Sequence, residues 1–169
     1  MALVNNFSKD EMITLQNLIR SKCKTITTAE SCTGGLVANK LTQLAGSSEI
    51  FKGAIVSYSN EIKSSELGVK EDTLKKYGAV SEQTVSEMLD GVIKKMNSNY
   101  AIAISGIAGP QGGSKLKPVG TVVIGICDDK EFKEIEICNF DGNRLEIQEQ
   151  AANTSLKKIL KFLQKSLDN

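Results

Sequence analysis

Ser31, Tyr58 and Lys63 are the residues of this sequence whose types and spacing could support catalysis. The chain contains no histidine, so it cannot build a Ser-His-Asp triad, a Cys-His pair or a histidine-ligated metal centre. A catalytic base must therefore come from Lys, Asp, Glu or Tyr. Burial or a nearby cation can lower the pKa of a lysine until it accepts the proton of a serine hydroxyl. Ser31 and Lys63 would then be the catalytic pair of a serine hydrolase that uses no histidine.

Ser31 and Lys63 also have ordinary structural interpretations. Ser31 or Thr33 can be the N-cap of the helix that follows, and a single lysine usually lies in solvent at the surface. Convergence of Ser31 and Lys63 in the fold is what would favour catalysis over these alternatives.

Residues 106–120 form a second candidate feature, because they hold five of the 14 glycines and both prolines. Glycine lets backbone N–H groups approach a ligand closely, and several such groups together bind anions. The spacing of Gly106, Gly109 and Gly112 matches neither a P-loop nor a dinucleotide-binding fingerprint. An ordinary irregular loop before a hairpin remains the alternative.

Hydrophobic periodicity predicts an α/β fold: a three-layer α/β/α sandwich with a mixed, mostly parallel sheet, in one domain over residues 1–169. Helices are predicted at about 9–21, 36–44, 70–77, from a Ser81 cap to Met96, and 143–167, and strands at 25–29, 51–58, 100–105, 119–127 and 131–140.

The predicted βαβ unit has parallel strands, whose C-terminal ends lie at one edge of the sheet. Ser31 follows the first strand, while Tyr58 and Lys63 follow the second. Ser105 and the glycine-rich loop arrive from a third strand. Ser48, at the far end of the intervening helix, would lie away from this cluster unless the topology is mixed or a second subunit brings it in.

The sequence predicts a soluble, cytoplasmic protein, because it shows neither a membrane-length apolar run nor a signal-peptide pattern at its start. The net charge is +1, which gives no global attraction to nucleic acid or to an anionic membrane. No apolar run approaches the length of a membrane span. The four cysteines match neither a redox motif nor a zinc site, and we expect reduced thiols.

Several blocks of the sequence occur together in one order: Thr28–Gly35, Ala45–Ser48, Val56–Asn60 with Lys63, Gly78–Ser81, Ile104–Pro110 and Lys117–Thr121. Over about residues 8–165 they closely resemble the CinA C-terminal family, the competence/damage-inducible protein domain. The enzymes of this family are nicotinamide mononucleotide deamidases. The resemblance implies hydrolysis of nicotinamide mononucleotide to nicotinate mononucleotide and ammonia, a salvage step toward NAD. Because the family's nucleotide-binding N-terminal domain is absent here, it also implies the stand-alone form.

The resemblance assigns roles to individual positions. Ser31 would be the nucleophile, Lys63 its base, and Tyr58 a neighbour that orients the lysine or gates the pocket. Ser48 is the fallback nucleophile. Arg144, in a block whose usual acid is replaced by Asn143, would clamp the phosphate.

Further substrate contacts are expected from residues around the two candidate features. Glu30 could balance the pyridinium cation, although its carboxylate could equally be buried in structural hydrogen bonds. Backbone N–H groups at the following helix start could hold an oxyanion. The full set of expected substrate-binding residues is Glu30, Thr33, Gly34, Ser48, Ser105, Gly106, Gly109, Gly112, Gly113 and Arg144.

We expect a small-molecule nucleotide as substrate, a homo-oligomer (a dimer above all), no cofactor or metal, and no contact with nucleic acid or membrane. Two other functions remain open. One is a catalytically silent nucleotide-binding domain, and the other is an interaction module linked to DNA uptake or repair proteins.

Overall fold

The computed structural model describes residues 6–166. The helices are α1 (Lys9–Ser21), α2 (Leu36–Leu41), α3 (Asn60–Leu67), α4 (Glu71–Tyr77), α5 (Glu82–Met96) and α6 (Arg144–Lys165). The strands are β1 (Ile26–Glu30), β2 (Phe51–Val56), β3 (Tyr100–Gly106), β4 (Thr121–Asp128) and β5 (Lys133–Asn139).

One five-stranded sheet has the order β2-β1-β3-β4-β5. β1 pairs in parallel with β2 and with β3, whereas β4 is antiparallel to both β3 and β5. Four of the five strands therefore run in the same direction. This sheet confirms the predicted α/β class with a mixed sheet, and β4 with β5 forms the predicted hairpin.

Helices cover both faces of the sheet and give the predicted three layers. α1, α2 and α6 pack together on one face, while α5 crosses the other and carries α3 and α4 on its outer side. The central strand β3 serves both layers, because Ile102 and Ile104 belong to the core beneath α6 and Ala101 and Ala103 to the core beneath α5. A strand buried on both faces explains the continuous apolar run that predicted it.

Three of the differences between predicted and observed elements lie next to the candidate residues. α2 ends at Leu41 rather than near residue 44. β2 ends at Val56 rather than at Tyr58, and the chain then forms α3, which the sequence pattern did not predict. Only Lys63 and Leu67 of α3 are buried, so a lysine occupies a position where the apolar periodicity of a helix requires a hydrophobic residue. The predicted end of the last helix, residue 167, lies outside the described residues.

Close packing of α3 against α5 fixes the position of α3 beside the sheet. A Cβ atom placed on Gly91 of α5 would lie 1.9 Å from the carbonyl oxygen of Leu67. Only glycine allows the last turn of α3 to approach α5 this closely. The helix that carries Lys63 is therefore held by a backbone contact on its far end.

None of the helices within residues 6–166 is long and apolar enough to cross a lipid bilayer.

Candidate active site

Ser31 and Lys63 meet at the C-terminal edge of the parallel strands. The Lys63 Nζ lies 3.0 Å from the Ser31 Oγ, and the two residues are only 1% and 7% exposed respectively. The Nζ also donates hydrogen bonds to the carbonyl oxygens of Ser57 (2.7 Å) and Tyr58 (3.3 Å). Three oxygen atoms thus surround the lysine nitrogen, and one of them is the hydroxyl of the candidate nucleophile.

Strand register and a helix cap bring the two side chains together. Glu30, the last residue of β1, is level with Val56, the last residue of β2, so the residues after both strands leave the sheet side by side. Ser59 then caps α3 by accepting a hydrogen bond from the backbone N–H of Ile62. One turn into this helix, Lys63 lies beside the strand ends with Ser31.

Burial lowers the pKa of Lys63 below its ordinary value of 10.5, because the charged ammonium loses its hydration in the interior. The nearby Cys32 thiol acts in the opposite direction. Burial raises the pKa of that thiol to about 12, so Cys32 is neutral near pH 7 and offers Lys63 no counter-charge there. A neutral amine next to a serine hydroxyl is the arrangement that a lysine base needs.

A cavity of about 240 Å³ opens onto this pair. Fourteen residues line it, and none of them is Asp or Glu: Ser31, Cys32, Tyr58, Lys63, Ala79, Val80, Ser105, Gly106, Ile107, Ala108, Gly109, Gln111, Gly112 and Arg144. The two ionisable nitrogen groups in this set, on Lys63 and Arg144, both favour an anionic or neutral ligand group over a cationic one.

The glycine-rich segment supplies one wall of the cavity. Gly109 and Gly112 have φ values of 80° and 89°, which favour glycine. Within residues 6–166, the backbone N–H groups of Ala108, Gly109 and Gly112 make no hydrogen bond, so they remain available to an anion. Gly113 does not line the cavity; a Cβ on it would lie 2.8 Å from the backbone nitrogen of Val119.

Ser105 lines the cavity from the end of β3. Its Oγ donates a hydrogen bond of 2.7 Å to the carbonyl oxygen of Ala79, and Ser105 itself is 1% exposed. This bond fastens the segment between α4 and α5 against the sheet. Ala79 and Val80 in that segment also line the cavity.

Tyr58 and Arg144 lie together at the mouth of the cavity. Arg144 donates one hydrogen bond to the Tyr58 hydroxyl (2.7 Å) and another to the carbonyl oxygen of Gly109 (2.8 Å). The Tyr58 side chain is 59% exposed and bonds to Arg144, whereas its backbone carbonyl contacts Lys63. Orientation of the lysine therefore comes from the Tyr58 main chain, and the ring stands at the entrance.

Asn143 acts as the N-cap of α6. Its side chain accepts from the backbone N–H of Glu146, and the Glu146 carboxylate accepts from the Asn143 N–H in return. Arg144 is the first residue of this helix. Because position 143 caps the helix, the orientation of Arg144 comes instead from Tyr58 and Gly109.

Glu30 does not reach the cavity, so the structure places its carboxylate in the structural role that the sequence left as the alternative. Glu30 is fully buried. Its oxygens accept hydrogen bonds from the backbone N–H groups of Val37 and Ala38, and from the hydroxyls of Thr28 and Thr33. These N–H groups at the start of α2 are therefore occupied, and the expectation that this helix start binds an oxyanion is wrong for them.

Thr33 and Gly34 line a neighbouring shallow groove with Leu145 and Gln148, rather than the cavity around Ser31. The Thr33 hydroxyl is already used by Glu30. Both residues therefore lie outside the set that surrounds Ser31 and Lys63.

Ser48 and Lys63 lie at opposite ends of strand β2. Ser48 is exposed, in a 3-10 turn immediately before β2, whereas Lys63 follows the end of that strand. The six residues of β2 separate the two by about 20 Å of strand. Ser48 is absent from the cavity of this chain, as parallel pairing of β1 and β2 predicts.

The sequence did not point to Ser57, Ala79 or Cys32 as parts of the site. Ser57 and Ala79 act through backbone carbonyl oxygens, which every residue type carries. Cys32 lines the cavity because it follows Ser31 directly. Its place next to the nucleophile was the one signal available for any of the three.

Replacement of Glu30 should separate its structural role from substrate binding. We expect Glu30→Ala to lower the free energy of unfolding by about 2–4 kcal/mol, because four donors lose a buried acceptor. Urea unfolding followed by circular dichroism measures this change. Thr28→Ala removes only one of the four hydrogen bonds and serves as the smaller, matched change. Unchanged stability with weakened substrate binding would instead favour the pyridinium contact.

The chain is similar to known proteins over most of its length. The family model described as the CinA C-terminal domain matches residues 9–163. A CinA-like protein of Endomicrobium trichonymphae is 50% identical over 139 residues, which are 82% of this chain and 32% of that protein. A CinA-like protein of Thermotoga neapolitana is 44% identical over 160 residues, which are 95% of this chain and 38% of that protein. The chain thus spans about a third of the length of these curated relatives.

Solved structures show the same fold. The competence/damage inducible protein of Agrobacterium tumefaciens superposes with a TM-score of 0.86 at 37% identity, covering 97% of this chain and 99% of that one. A competence-damaged protein (CinA) superfamily protein of Klebsiella pneumoniae gives a TM-score of 0.88 at 31% identity, covering 92% and 97%.

Proposed function

Because this chain belongs to the CinA C-terminal domain family, we propose that it is an amidase that hydrolyses nicotinamide mononucleotide to nicotinate mononucleotide and ammonia. The substrate is the one that the family resemblance implies. The observation that carries the chemistry is the contact of 3.0 Å between Lys63 Nζ and Ser31 Oγ in a buried cavity.

The hydrogen bonds around Lys63 suit the neutral amine. A neutral amine has two N–H donors and one lone pair. The carbonyl oxygens of Ser57 and Tyr58 accept the two N–H groups, which leaves the lone pair to accept the Ser31 O–H. The lysine is thus oriented to remove the proton of the nucleophile without any help from histidine.

Acylation begins when Ser31 Oγ attacks the carboxamide carbon and Lys63 takes the hydroxyl proton. The negative charge that develops on the carbonyl oxygen needs hydrogen-bond donors, and the unpaired N–H groups of Ala108 and Gly109 are candidates in the cavity wall. Lys63 then gives its proton to the leaving nitrogen, and ammonia departs. Water attacks the ester in the second half, with Lys63 again as base.

The size of the cavity limits how much of the proposed substrate can lie inside it. Its volume of about 240 Å³ is below the range of about 300–1,000 Å³ for typical small-molecule pockets. We assign the carboxamide and pyridine ring to the interior, and the ribose phosphate to the mouth beside Tyr58 and Arg144. The phosphate there meets the Arg144 guanidinium, whose fork of N–H donors suits phosphate oxygens.

Ammonia release from nicotinamide mononucleotide, measured from about pH 6 to about pH 10, tests the reaction and its base together. Protonated Lys63 cannot accept the Ser31 proton, so kcat/KM should rise with pH and level off. The apparent pKa of this rise should lie below the ordinary lysine value of 10.5, because burial lowers the pKa of Lys63. Each ammonia released should be matched by one nicotinate mononucleotide.

Two results would contradict this proposal. Release of free nicotinamide would mean cleavage of the glycosidic bond rather than the amide. Tight binding of the nucleotide with no product at any pH would favour the silent nucleotide-binding domain. An activity profile that is flat from acid to neutral pH would remove Lys63 as the base while leaving the amidase reaction in place.

A further inference from the structure

The cavity around Ser31 and Lys63 has no negatively charged side chain that could pair with a cationic pyridinium ring. Both ionisable nitrogen groups that line the cavity, on Lys63 and Arg144, carry positive charge when protonated, and no lining residue is acidic. Glu30, the carboxylate nearest in sequence, is fully buried and bound to α2. The surroundings of the reacting group therefore favour a negatively charged ligand whenever Lys63 is protonated.

The last step of the proposed reaction produces a negatively charged ligand next to a protonated Lys63. Water attacks the acyl ester of Ser31, the carbon–Oγ bond breaks, and Oγ recovers a proton through Lys63. The carboxylic acid that forms gives its own proton to the neutral amine. The product complex then contains a carboxylate and the Lys63 ammonium in direct contact, with atoms and charge balanced.

Lys63 is well placed to hold this carboxylate. Two of the three N–H donors of the ammonium are taken by the carbonyl oxygens of Ser57 and Tyr58. The third points to Ser31, where the carboxylate replaces the amide. A charge-assisted hydrogen bond in a buried site is stronger than the neutral bond that a carboxamide can make there.

Given the proposed amidase activity, on which this step rests, we propose that the cavity binds its acid product more tightly than its carboxamide substrate, and the more so as the pH falls. Nicotinate mononucleotide is then an inhibitor of its own formation. Flux through the site depends on a downstream reaction that removes the carboxylate nucleotide.

Few groups besides Lys63 can contribute to this pH dependence. From the turn after β1, the Cys32 thiol faces Lys63, and burial keeps it neutral near pH 7. Between β2 and α3, Ser57 and Tyr58 present carbonyl oxygens. The Ala79–Val80 segment before α5 presents no ionisable side chain to the cavity, and the Arg144 guanidinium lies at the mouth beside Tyr58.

The test measures binding without turnover, by calorimetric titration of Ser31→Ala protein with nicotinate mononucleotide and with nicotinamide mononucleotide. Near pH 6 the acid should bind about ten- to a hundredfold more tightly than the amide. Near pH 10 this preference should shrink. Both ligands carry the same phosphate, whose own titration therefore cancels in the ratio. Equal affinities at both pH values, or tighter binding of the amide, would overturn the proposal.

Lys63→Met in the Ser31→Ala background is the matched variant, because methionine fills a similar space without a charge. It should bind the two nucleotides equally at both pH values; a persistent preference for the acid would overturn the role of Lys63. If this variant does not fold, the pH comparison on Ser31→Ala protein still decides. If wild-type protein releases ammonia but the Ser31→Ala variant binds the acid no more tightly than the amide, only this inference is refuted. Acid preference without ammonia release refutes only the amidase.

Discussion

Ser31→Ala and Lys63→Met should each lower kcat/KM for nicotinamide mononucleotide by at least about a thousandfold, because the members of a catalytic pair act as a unit. The alanine removes the attacking oxygen, and the methionine removes the lone pair that accepts its proton. The double variant should be no slower than either single one. Initial rates of ammonia release, with substrate in excess, measure all three variants.

Three controls accompany the Ser31 and Lys63 variants. Ser65→Ala changes an exposed serine on the same helix, outside the cavity, and should keep wild-type rates. Thermal unfolding shows whether the buried Lys63→Met substitution leaves the fold intact. Ser48→Ala should also remain active; normal turnover in Ser31→Ala together with loss in Ser48→Ala would identify Ser48 as the nucleophile and bring in a second subunit.

Arg144→Ala should raise KM for nicotinamide mononucleotide by about ten- to a hundredfold with little change in kcat, because one charge-assisted phosphate contact is lost. Nicotinamide riboside has no phosphate. It should be a poor substrate for wild-type protein because it cannot make the phosphate contact with Arg144, and Arg144→Ala should not weaken it further. Steady-state kinetics on both substrates therefore give strongly non-additive losses.

Tyr58→Phe is the matched control for Arg144. It removes the hydroxyl that accepts from the guanidinium but keeps the ring at the mouth. KM should change much less than in Arg144→Ala if the phosphate itself is the main partner of Arg144. Equal slowing of both substrates by Arg144→Ala would mean that the arginine supports the Gly109 loop through its 2.8 Å bond to the carbonyl oxygen.

The parallel βαβ unit could be predicted because its strands and helix carry clear local patterns. Once β1 and β2 are parallel neighbours, Ser31 and the segment after β2 must lie at the same end of the sheet, which puts Lys63 in the region of Ser31. For the same reason Ser48, before β2, had to lie at the other end. Topology alone therefore gives these placements.

α3 and the role of Glu30 could not be predicted in the same way. Lys63 interrupts the apolar pattern of α3, because the lysine is buried for its hydrogen bonds and not for its hydrophobicity. Glu30 carries a charge beside a candidate nucleophile, and sequence alone cannot tell whether its oxygens face a substrate or the N-terminus of α2. Two backbone N–H groups and two hydroxyls decide that choice, and they come from three different parts of the fold.

The contact between Gly91 and Leu67 affects how the proposed activity can be inferred for related sequences. A single added methyl group at position 91 would meet the Leu67 backbone at 1.9 Å and push away the helix that carries Lys63. The proposed activity could thus be lost through a change that leaves Ser31, Lys63 and every cavity residue unchanged. A related sequence that keeps Ser31 and Lys63 is therefore not shown to be active by those two residues alone. Glycine at position 91 should be checked as well.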